Sequence, residues 1–485
     1  MEQYQLFING EFIDNGDREM MDVVDPSTEE VISQVPKATP EDVQAAVDAA
    51  YEAEKEWKKV PAVERAGYVK EIAALVRENA DALAQVIMQE QGKTWGLSHV
   101  ESNFTADYMD YMAEFARRIE GEVIESDAPN ENIFLMKEPI GVAAGILPWN
   151  FPFFLIARKM APALVAGNTI VIKPSSDTPN NAFEFAKLVE KSHLPKGVFN
   201  LISGSGSTVG NGLAGNPKVG IVSMTGSVEV GSKIMAAAAD NITKVSLELG
   251  GKAPCIVMPD ADLDLAAKAI YDSRVDNTGQ VCNNAERVYV HEDVADEFTD
   301  KITQLMANTK YGPVFENKEF DMGPLINKKQ LEQVDAAVKH AVEQGATLIL
   351  GGEPDTEVGS GRGFFYKPTV LTNCTQDMDI MHLETFGPVL PICTFKTMDE
   401  ALEYANDCEY GLTSSIFTSN NDYMMRACNE LEFGETYVNR WHFEGMQGFH
   451  QGVKKSGIGG ADGKYGFEEY LQTHICYIDY DTNKQ

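Results

Sequence analysis

The sequence lacks the features that mark exported, membrane-bound or metal-binding proteins. Its 485 residues include only seven cysteines and eight histidines. No CxxC pair and no group of Cys, His and Asp has the spacing of metal ligands, so no metal is expected. Dispersed cysteines in odd number indicate free thiols in a reducing compartment, here the cytoplasm. The N-terminal residues carry neither a basic stretch nor an apolar run of the kind that directs export.

Long apolar runs and basic residues are also scarce. The longest apolar stretch, residues 141–157, is interrupted by Pro148, Asn150 and Pro152, so a membrane span is not expected there. Only 40 Lys and Arg face 74 Asp and Glu, which gives a formal net charge of −34. A surface this acidic repels phosphate backbones and anionic membranes, so we expect neither nucleic acid nor lipid as a partner.

What the sequence contains is the pattern of an α/β protein with two or three domains, the number that 485 residues favour. The first 120 residues are mostly helical in pattern, and Thr39 is a candidate N-cap for a helix that begins at Pro40. From Gly141 onward, β-rich runs alternate with helical segments, which predicts two series of parallel strands. The runs cover residues 141–147, 169–172 and 220–224, and then residues 253–258, 287–290, 346–350 and 389–393.

Three further segments have the pattern of accessory strands. Residues 121–126 and 132–137 could pair as a hairpin outside the main sheets. Residues 474–480 alternate apolar and polar side chains after the body of the protein is complete. A terminal strand with open edges favours pairing with another subunit, and an edge strand within the chain is the alternative.

Three places are candidates for binding a phosphate-containing cofactor. Lys173 ends a predicted buried strand, where ligands bind in open α/β sheets. Residues 204–210 are glycine-rich around Gly206, but their GxGxxxG spacing misses the dinucleotide fingerprint, so an ordinary turn stays the alternative. Further on, a strand leads directly into a helix, where Gly226 and Ser227 would place a helix N-terminus and a hydroxyl against a pyrophosphate.

Three residues far apart in the sequence supply the groups needed to oxidise an aldehyde through a thioester. Cys282 is flanked by glycine and amide side chains rather than by core residues, and its thiolate can add to a carbonyl. The side-chain amide of Asn150 can donate to the resulting oxyanion, together with the backbone N–H of Cys282. Glu248, beside a Gly-Gly pair, can activate the water that hydrolyses the thioester. Each residue alone has an ordinary alternative, as a packed thiol, a turn Asn or a surface Glu.

Together, the segments 148–152, 247–252, 279–284 and 384–389 resemble the motifs of the NAD(P)-dependent aldehyde dehydrogenase superfamily, over nearly the full length of the chain. The resemblance implies NAD or NADP as cofactor. It also implies the catalytic roles just given for Cys282, Asn150 and Glu248. The positions that contact the cofactor in the family are matched here by Lys173, Ser227, Glu384 and Phe386.

The same resemblance implies the architecture. It predicts an α/β fold of aldehyde dehydrogenase type, with two Rossmann-type parallel α/β domains and a small β oligomerisation arm. The cofactor-binding domain is expected over residues 1–120 and 141–247, the catalytic domain over 248–450, and the oligomerisation strands over 121–140 and 466–485. A homo-oligomer, either dimer or tetramer, that acts on a small-molecule aldehyde is expected.

Within the family, residues 104–114, 146–159 and 434–450 are most similar to the bacterial branch that oxidises lactaldehyde and glycolaldehyde. The residues that could build a polar substrate pocket are Arg158, Asn283, Glu444 and His450. Such a pocket would hydrogen-bond a hydroxyl beside the carbonyl and would disfavour a purely alkyl aldehyde. The structural alternatives are a buried ion pair for Arg158 and a packed surface histidine for His450.

One departure bears on the cofactor. Many relatives carry Glu two residues after the Pro of the Lys-Pro pair, where it binds the adenosine ribose, and this chain has Ser176. A carboxylate there would repel a 2′-phosphate and a hydroxyl would not, so we expect the chain to use both NAD and NADP.

Several other functions compete with this hypothesis. A semialdehyde dehydrogenase would use Arg158 to grip a distal carboxylate. A CoA-acylating enzyme is disfavoured, because Glu248 suits hydrolysis. A non-catalytic protein that kept the fold is disfavoured by the presence of all three catalytic groups, and a cofactor-free thiol esterase would leave the Lys173 and Glu384 segments without a purpose.

Overall fold

The computed structural model describes residues 1–480, which form an α/β fold with two large sheets and two small ones. The strands are β1 (Glu2–Gln3), β2 (Leu6–Ile8), β3 (Glu11–Ile13), β4 (Met20–Val24), β5 (Val31–Pro36), β6 (Glu122–Glu125), β7 (Glu131–Pro139), β8 (Val142–Ile146), β9 (Thr169–Lys173), β10 (Phe199–Leu201), β11 (Val219–Thr225), β12 (Lys244–Glu248), β13 (Ala253–Val257), β14 (Ala285–His291), β15 (Thr347–Leu350), β16 (Thr369–Thr372), β17 (Val389–Phe395), β18 (Thr413–Phe417), β19 (Glu435–Val438), β20 (Gly457–Ile458) and β21 (Leu471–Asp479).

The helices alternate with these strands through most of the chain. They are α1 (Pro40–Trp57), α2 (Ala62–Glu78), α3 (Ala80–Gln91), α4 (Trp95–Ala113), α5 (Phe154–Ala166), α6 (Asn180–Lys191), α7 (Asn211–Ala214), α8 (Val228–Ala238), α9 (Leu263–Val275), α10 (Ala295–Ala307), α11 (Lys328–Glu343), α12 (Met398–Asn406), α13 (Asn421–Glu430) and α14 (Gly463–Glu468). Among the helices of residues 1–480, none is both long and apolar enough to cross a membrane.

The first large sheet has the order β20-β12-β11-β8-β9-β10-β2-β3. Its five central strands, β12 to β10, are parallel, and antiparallel strands extend both edges. The side chains of β8 and β9 are buried along their whole length, because helices cover both faces. The predicted strands of the first series are confirmed here as β8, β9 and β11. Their carboxyl ends, together with that of β12, carry Ile146, Lys173, Thr225 and Glu248 to one edge of the sheet.

The second large sheet has the order β15-β16-β17-β14-β13-β18-β19 and is parallel except for β15. The predicted strands of the second series are therefore confirmed as parallel for β13, β14 and β17, and the prediction is wrong for residues 346–350, which form β15. β15 differs from its neighbours because it pairs antiparallel at the edge and its side chains are largely exposed.

A third sheet, in the order β21-β7-β6, stands apart from the two large ones. β6 and β7 form the predicted hairpin. β21 pairs antiparallel with β7 over residues 471–479, so one edge of the terminal strand is satisfied within the chain rather than by another subunit. Its other edge pairs with no strand in the described part of the chain, and residues 481–485 of the predicted oligomerisation segment lie outside the described residues.

The prediction that the first 120 residues are mostly helical is wrong for the first 36 of them. Five short strands occupy this segment, and β2 joins the first large sheet by pairing with β10. From Pro40 the prediction is confirmed. The Thr39 hydroxyl accepts a hydrogen bond from Asp42 N, and the Asp42 carboxylate accepts one from Thr39 N, which makes a capping box at the start of α1.

Candidate active site

Cys282 lies in a loop between α9 and β14, at the edge of a cavity of about 290 Å³. The loop is unusual because Asn277 and Thr278, which precede the cysteine, have φ angles of 45° and 60°. Non-glycine residues adopt such left-handed conformations at a cost, which is met where the surrounding structure fixes a functional loop. The cysteine itself is half-buried, so its sulfur is open to the cavity.

The Gly250-Gly251 pair is approached closely by two other segments, the loop of Cys282 and the segment of Glu384. A Cβ at Gly251 would lie 2.4 Å from the carbonyl oxygen of Cys282, and a Cβ at Gly250 would lie 2.7 Å from a carboxylate oxygen of Glu384. No larger residue fits either position without moving backbone or charge. The pair therefore brings the segments of Glu248, Cys282 and Glu384 together.

The structure places Asn150 beside the cysteine loop. Its Nδ2 donates to the carbonyl oxygen of Gln280 at 3.0 Å, two residues before Cys282, and both Asn150 and Cys282 line the cavity. The side-chain amide has two N–H groups, so one can hold the loop while a second is left to donate elsewhere. Asn277 Nδ2 donates to the Asn150 carbonyl oxygen at 3.1 Å, which ties the two loops together a second time.

Glu248 ends β12 and is buried beside two cations. Its Oε2 accepts a hydrogen bond from the Thr225 hydroxyl at 2.9 Å, and its Oε1 lies 3.5 Å from Lys159 Nζ. Burial alone would raise the pKa of Glu248, but attraction by Lys159 and Arg158 holds that pKa at about 2. The two neighbouring cations thus favour the ionised form of the Glu248 carboxylate.

Arg158 projects from α5 into a cluster of three carboxylates. Its Nε and Nη2 form a bidentate pair with Asp462, its Nη2 lies 3.3 Å from Glu444 Oε1, and its Nη1 lies 3.8 Å from Glu248 Oε2. The arginine side chain is only 5% exposed. Arg158 thus lies in a buried ion pair, which is the alternative that the sequence left open. The neighbouring carboxylates fully compensate its positive charge.

The other predicted substrate residues divide into two groups. Asn283 Nδ2 donates to Glu444 Oε2, and both residues line the cavity with Cys282. His450 is not among the cavity-lining residues. It is 1% exposed, and its Nδ1 lies 2.5 Å from Glu435 Oε1. Burial alone would lower the pKa of His450, but Glu435 raises it well above its usual value.

The predicted cofactor residues lie at the carboxyl edge of the first large sheet. Lys173 is buried at the end of β9, and its Nζ donates to the Pro174 carbonyl oxygen at 2.9 Å. Burial lowers the pKa of this ammonium to about 8. Ser176 is exposed, and its hydroxyl lies 3.5 Å from the carbonyl oxygen of Gly204. Gly206 begins a helical turn, and a Cβ there would meet no atom within 4 Å.

The transition from β11 to α8 has the predicted form. Ser227 is the N-cap of α8, and its hydroxyl accepts from Val230 N. An ammonium has three donors, and Lys173 uses one of them on Pro174, so donors remain for a ligand at this edge. A helix N-terminus and a buried ammonium at the same edge of a sheet fit a dinucleotide.

The segment that holds Glu384 and Phe386 faces the Gly250-Gly251 pair. Glu384 Oε1 accepts from Gly251 N at 2.8 Å, and burial followed by repulsion from Glu286 raises the Glu384 pKa to about 7. Phe386 has a φ of 52° and packs edge-on against Trp149, with ring centroids 5.4 Å apart. The segment is thus fixed against the loop that carries Asn150.

Several residues of this site were missed in the sequence. Lys159, Thr225 and Asp462 contact Glu248 or Arg158 directly. Lys159 had a recognisable signal, because two adjacent cations stand inside the apolar run of α5. Asp462 had none, since it lies 304 residues from Arg158 in the sequence. The aromatic side chains that line the cavity were also missed; they include Phe104, Phe151, Phe154 and Phe443.

Comparisons with known proteins agree with this geometry. The model of the family described as "Aldehyde dehydrogenase family" matches residues 12–476. The chain is 57% identical to lactaldehyde dehydrogenase of Escherichia coli (strain K12) over 476 residues, which is 98% of both chains.

Solved structures give the same result. The crystal structure of lactaldehyde dehydrogenase from Escherichia coli superposes with a TM-score of 0.97 over 98% of this chain and 99% of that chain. The structure of a 3,6-anhydro-L-galactose dehydrogenase in complex with NADP is 45% identical and has a TM-score of 0.96, over 98% of this chain and all of that chain.

Proposed function

The chain belongs to the aldehyde dehydrogenase family, and we propose that it oxidises a short 2-hydroxyaldehyde such as lactaldehyde or glycolaldehyde to the carboxylic acid. In this proposal the Cys282 thiolate adds to the aldehyde carbonyl, and the Asn150 amide stabilises the oxyanion. The bound nicotinamide cofactor supplies the hydride acceptor. Glu248 then activates the water that hydrolyses the thioester and frees Cys282.

The arrangement around Arg158 is the observation that carries the substrate proposal. A semialdehyde dehydrogenase needs an uncompensated cation to bind the distal carboxylate of its substrate. Here Arg158 is already bound by Asp462 and lies beside Glu444 and Glu248. A second carboxylate from the substrate would therefore enter a pocket whose net charge is negative, at a cost in desolvation and repulsion.

The same end of the cavity suits a neutral hydroxyl. Asn283 and Glu444 are hydrogen-bonded to each other at the cavity wall, so a donor and an acceptor stand side by side. A hydroxyl can donate to the carboxylate and accept from the amide at the same time. Trp441 stacks on Phe443 with ring centroids 5.3 Å apart, and this wall limits the space for longer aldehydes.

Comparing three aldehydes tests the substrate proposal. We expect kcat/KM for lactaldehyde to exceed that for propanal, which lacks only the 2-hydroxyl, by at least about tenfold, because the polar pair would be left unsatisfied. Succinate semialdehyde, which carries the distal charge, should be poorer than either. A higher kcat/KM for succinate semialdehyde would overturn the proposal in favour of the semialdehyde alternative.

We further propose that the enzyme accepts both NAD and NADP, and Ser176 supports this. Replacing Ser176 with Glu would place a carboxylate near the 2′-phosphate, so kcat/KM for NADP should fall by roughly 10- to 100-fold with little change for NAD. Ser176→Gln is the matched control, because it adds the same bulk without charge. Equal losses for the Glu and Gln variants would mean that size, not charge, decides the preference.

A pH dependence follows from Glu384, which we propose accepts a hydrogen bond from the nicotinamide ribose. Its carboxyl has a pKa of about 7, so it is ionised and able to accept above that pH and becomes protonated below it. We expect KM for NAD to rise by up to about tenfold between pH 8 and pH 6. In Glu384→Gln the KM should be high at both values. The same slope in the variant and the native enzyme would assign the titration to another group.

We also propose a homo-oligomer, either dimer or tetramer, assembled through the β21-β7-β6 sheet. That sheet exposes large apolar side chains, among them Val123, Ile124, Met136, Ile475 and Tyr477. Apolar side chains beside an open strand edge favour pairing with a second copy. Light scattering at micromolar concentration tests this, and a monomer mass would contradict it.

The proposed domain boundaries follow the sheets except at β20, which pairs with β12 in the first large sheet but lies outside the ranges proposed for that domain. The first large sheet supports a cofactor-binding domain of residues 1–120 and 141–247, and the second supports a catalytic domain of residues 248–450. The third sheet supports an oligomerisation arm of residues 121–140 and 466–485. All seven cysteines are free thiols, which supports the proposed cytoplasmic location.

A further inference from the structure

A buried ion pair lies behind the Asn150 loop, outside the catalytic groups already described. Lys93 follows Gly92, the left-handed C-cap of α3, and Glu101 projects from α4. Lys93 Nζ lies 2.5 Å from Glu101 Oε2, and both side chains are fully buried. Neither residue has a part in the proposed chemistry.

The pair contacts both ends of one short segment, residues 150–154. Lys93 Nζ donates to the carbonyl oxygen of Asn150 at 2.7 Å and lies 3.6 Å from the centre of the Phe151 ring. Glu101 Oε1 accepts from Phe153 N at 2.9 Å and from Phe154 N at 3.1 Å. These are the backbone groups at the start of α5, where an anion is favourable. The ion pair thus fixes the direction of the loop that carries the Asn150 amide.

Stability alone is a weak reason for this arrangement. Burying two charges costs desolvation that their attraction repays only in part, and apolar side chains of similar volume often give equal stability. What apolar side chains cannot do is donate to the Asn150 carbonyl, which Asn277 also contacts, and accept from the two N–H groups of α5 at fixed positions. The ion pair supplies a donor at one end of the segment and an acceptor at the other.

We propose that Lys93 and Glu101 are positioning residues that hold the Asn150 amide in the orientation needed to stabilise the oxyanion. This inference rests on the proposed function, because it assigns the oxyanion to Asn150. Displacement of a catalytic group by about 1 Å can cost about 100-fold in rate, so a loop held at only one end would lower kcat while leaving the binding of cofactor unchanged.

A double-mutant cycle tests the proposal. Lys93→Met combined with Glu101→Gln removes both charges together, so no buried charge is left unpaired. We expect kcat to fall by about 10- to 100-fold, with KM for NAD within about twofold. Asn150→Ala alone should lose about 10²- to 10³-fold. Adding Lys93→Met and Glu101→Gln to Asn150→Ala should lower kcat by no more than about twofold further, because the amide that the ion pair positions is already absent.

The proposal would be overturned if the fold-losses of kcat from the ion-pair variant and from Asn150→Ala multiplied in the combined variant. A purely structural role for the pair would lower kcat equally with and without the Asn150 amide. Arg77→Met is the control. Arg77 lies on α2 and pairs with Asp107 and Asp110 of α4, the helix that also carries Glu101, and its loss should leave kcat unchanged. Lys93→Arg keeps the charge and should recover most of the rate. If the double variant does not fold, Lys93→Met tested alone in the same cycle decides the question, because it removes the donor to the Asn150 carbonyl and leaves Glu101 with its two backbone N–H donors.

The cycle is independent of the substrate proposal. It is run with whichever of glycolaldehyde and propanal the native enzyme oxidises, so an incorrect substrate assignment leaves it intact. If Asn150→Ala retains the full rate, the oxyanion assignment fails, and the positioning role fails with it. If Asn150→Ala loses activity but the variant with Lys93→Met and Glu101→Gln retains the full rate, the positioning role alone is wrong.

Discussion

Replacing Cys282 with Ala should abolish aldehyde oxidation, with a loss of kcat of about 10⁴-fold or more. Without the thiol no covalent intermediate forms, and the remaining groups position a substrate that has no nucleophile. The side chain is half-buried at the cavity edge, so its loss should change the free energy of unfolding by no more than about 1 kcal/mol. Steady-state kinetics and thermal unfolding of the same preparation give both numbers.

The matched control for this prediction is Cys428→Ala. Cys428 is exposed on α13, away from the cavity-lining residues, so its loss should leave kcat unchanged. Intact-mass and peptide mapping after acid quench should find the acyl adduct on Cys282 in the native enzyme and in the control. An adduct on another side chain, or full activity in Cys282→Ala, would remove the nucleophile assignment and the mechanism that depends on it.

The central strands of both large sheets could be predicted from the sequence because their signal is local. The runs of β9 and β13 are short, apolar and bounded by residues that end strands, and a parallel strand covered on both faces has this pattern. The strands of the first 36 residues could not be predicted in this way. They are two to six residues long, and their partners lie elsewhere, as in the pairing of Phe7 with Leu201.

The candidate catalytic residues could be selected from the sequence because each stands in a short motif with a chemical reason for its residue types. Cys282 and Asn150 line one cavity, and Glu248 lies beside Arg158, which lines the same cavity. What the sequence left open was the state of the charges. Whether Arg158 binds a substrate or an internal carboxylate depends on Asp462, which only the folded chain brings near it. The charge of His450 likewise depends on Glu435, whose carboxylate contacts the imidazole ring.

Replacing Glu248 with Gln should separate the two halves of the reaction. The substitution keeps the size of the side chain and an acceptor for Thr225 but removes the base, so the thioester on Cys282 should form and then persist. General base catalysis contributes about 10²- to 10⁴-fold, and a base whose pKa is held at about 2 is weak, so we expect a steady-state loss near 10²-fold.

Rapid-quench kinetics distinguishes this result from a general loss of activity. In Glu248→Gln we expect a burst of about one equivalent of reduced cofactor per Cys282, followed by slow turnover, because hydrolysis of the thioester has become the slow step. Added hydroxylamine should release the trapped acyl group and restore part of the turnover, since a strong nucleophile does not need the base. Slow formation of the thioester, with no burst, would instead mean that Glu248 acts earlier, by taking the proton of Cys282. In that case Lys159 and Arg158, which hold the carboxylate ionised, would govern the first step of the reaction rather than the last.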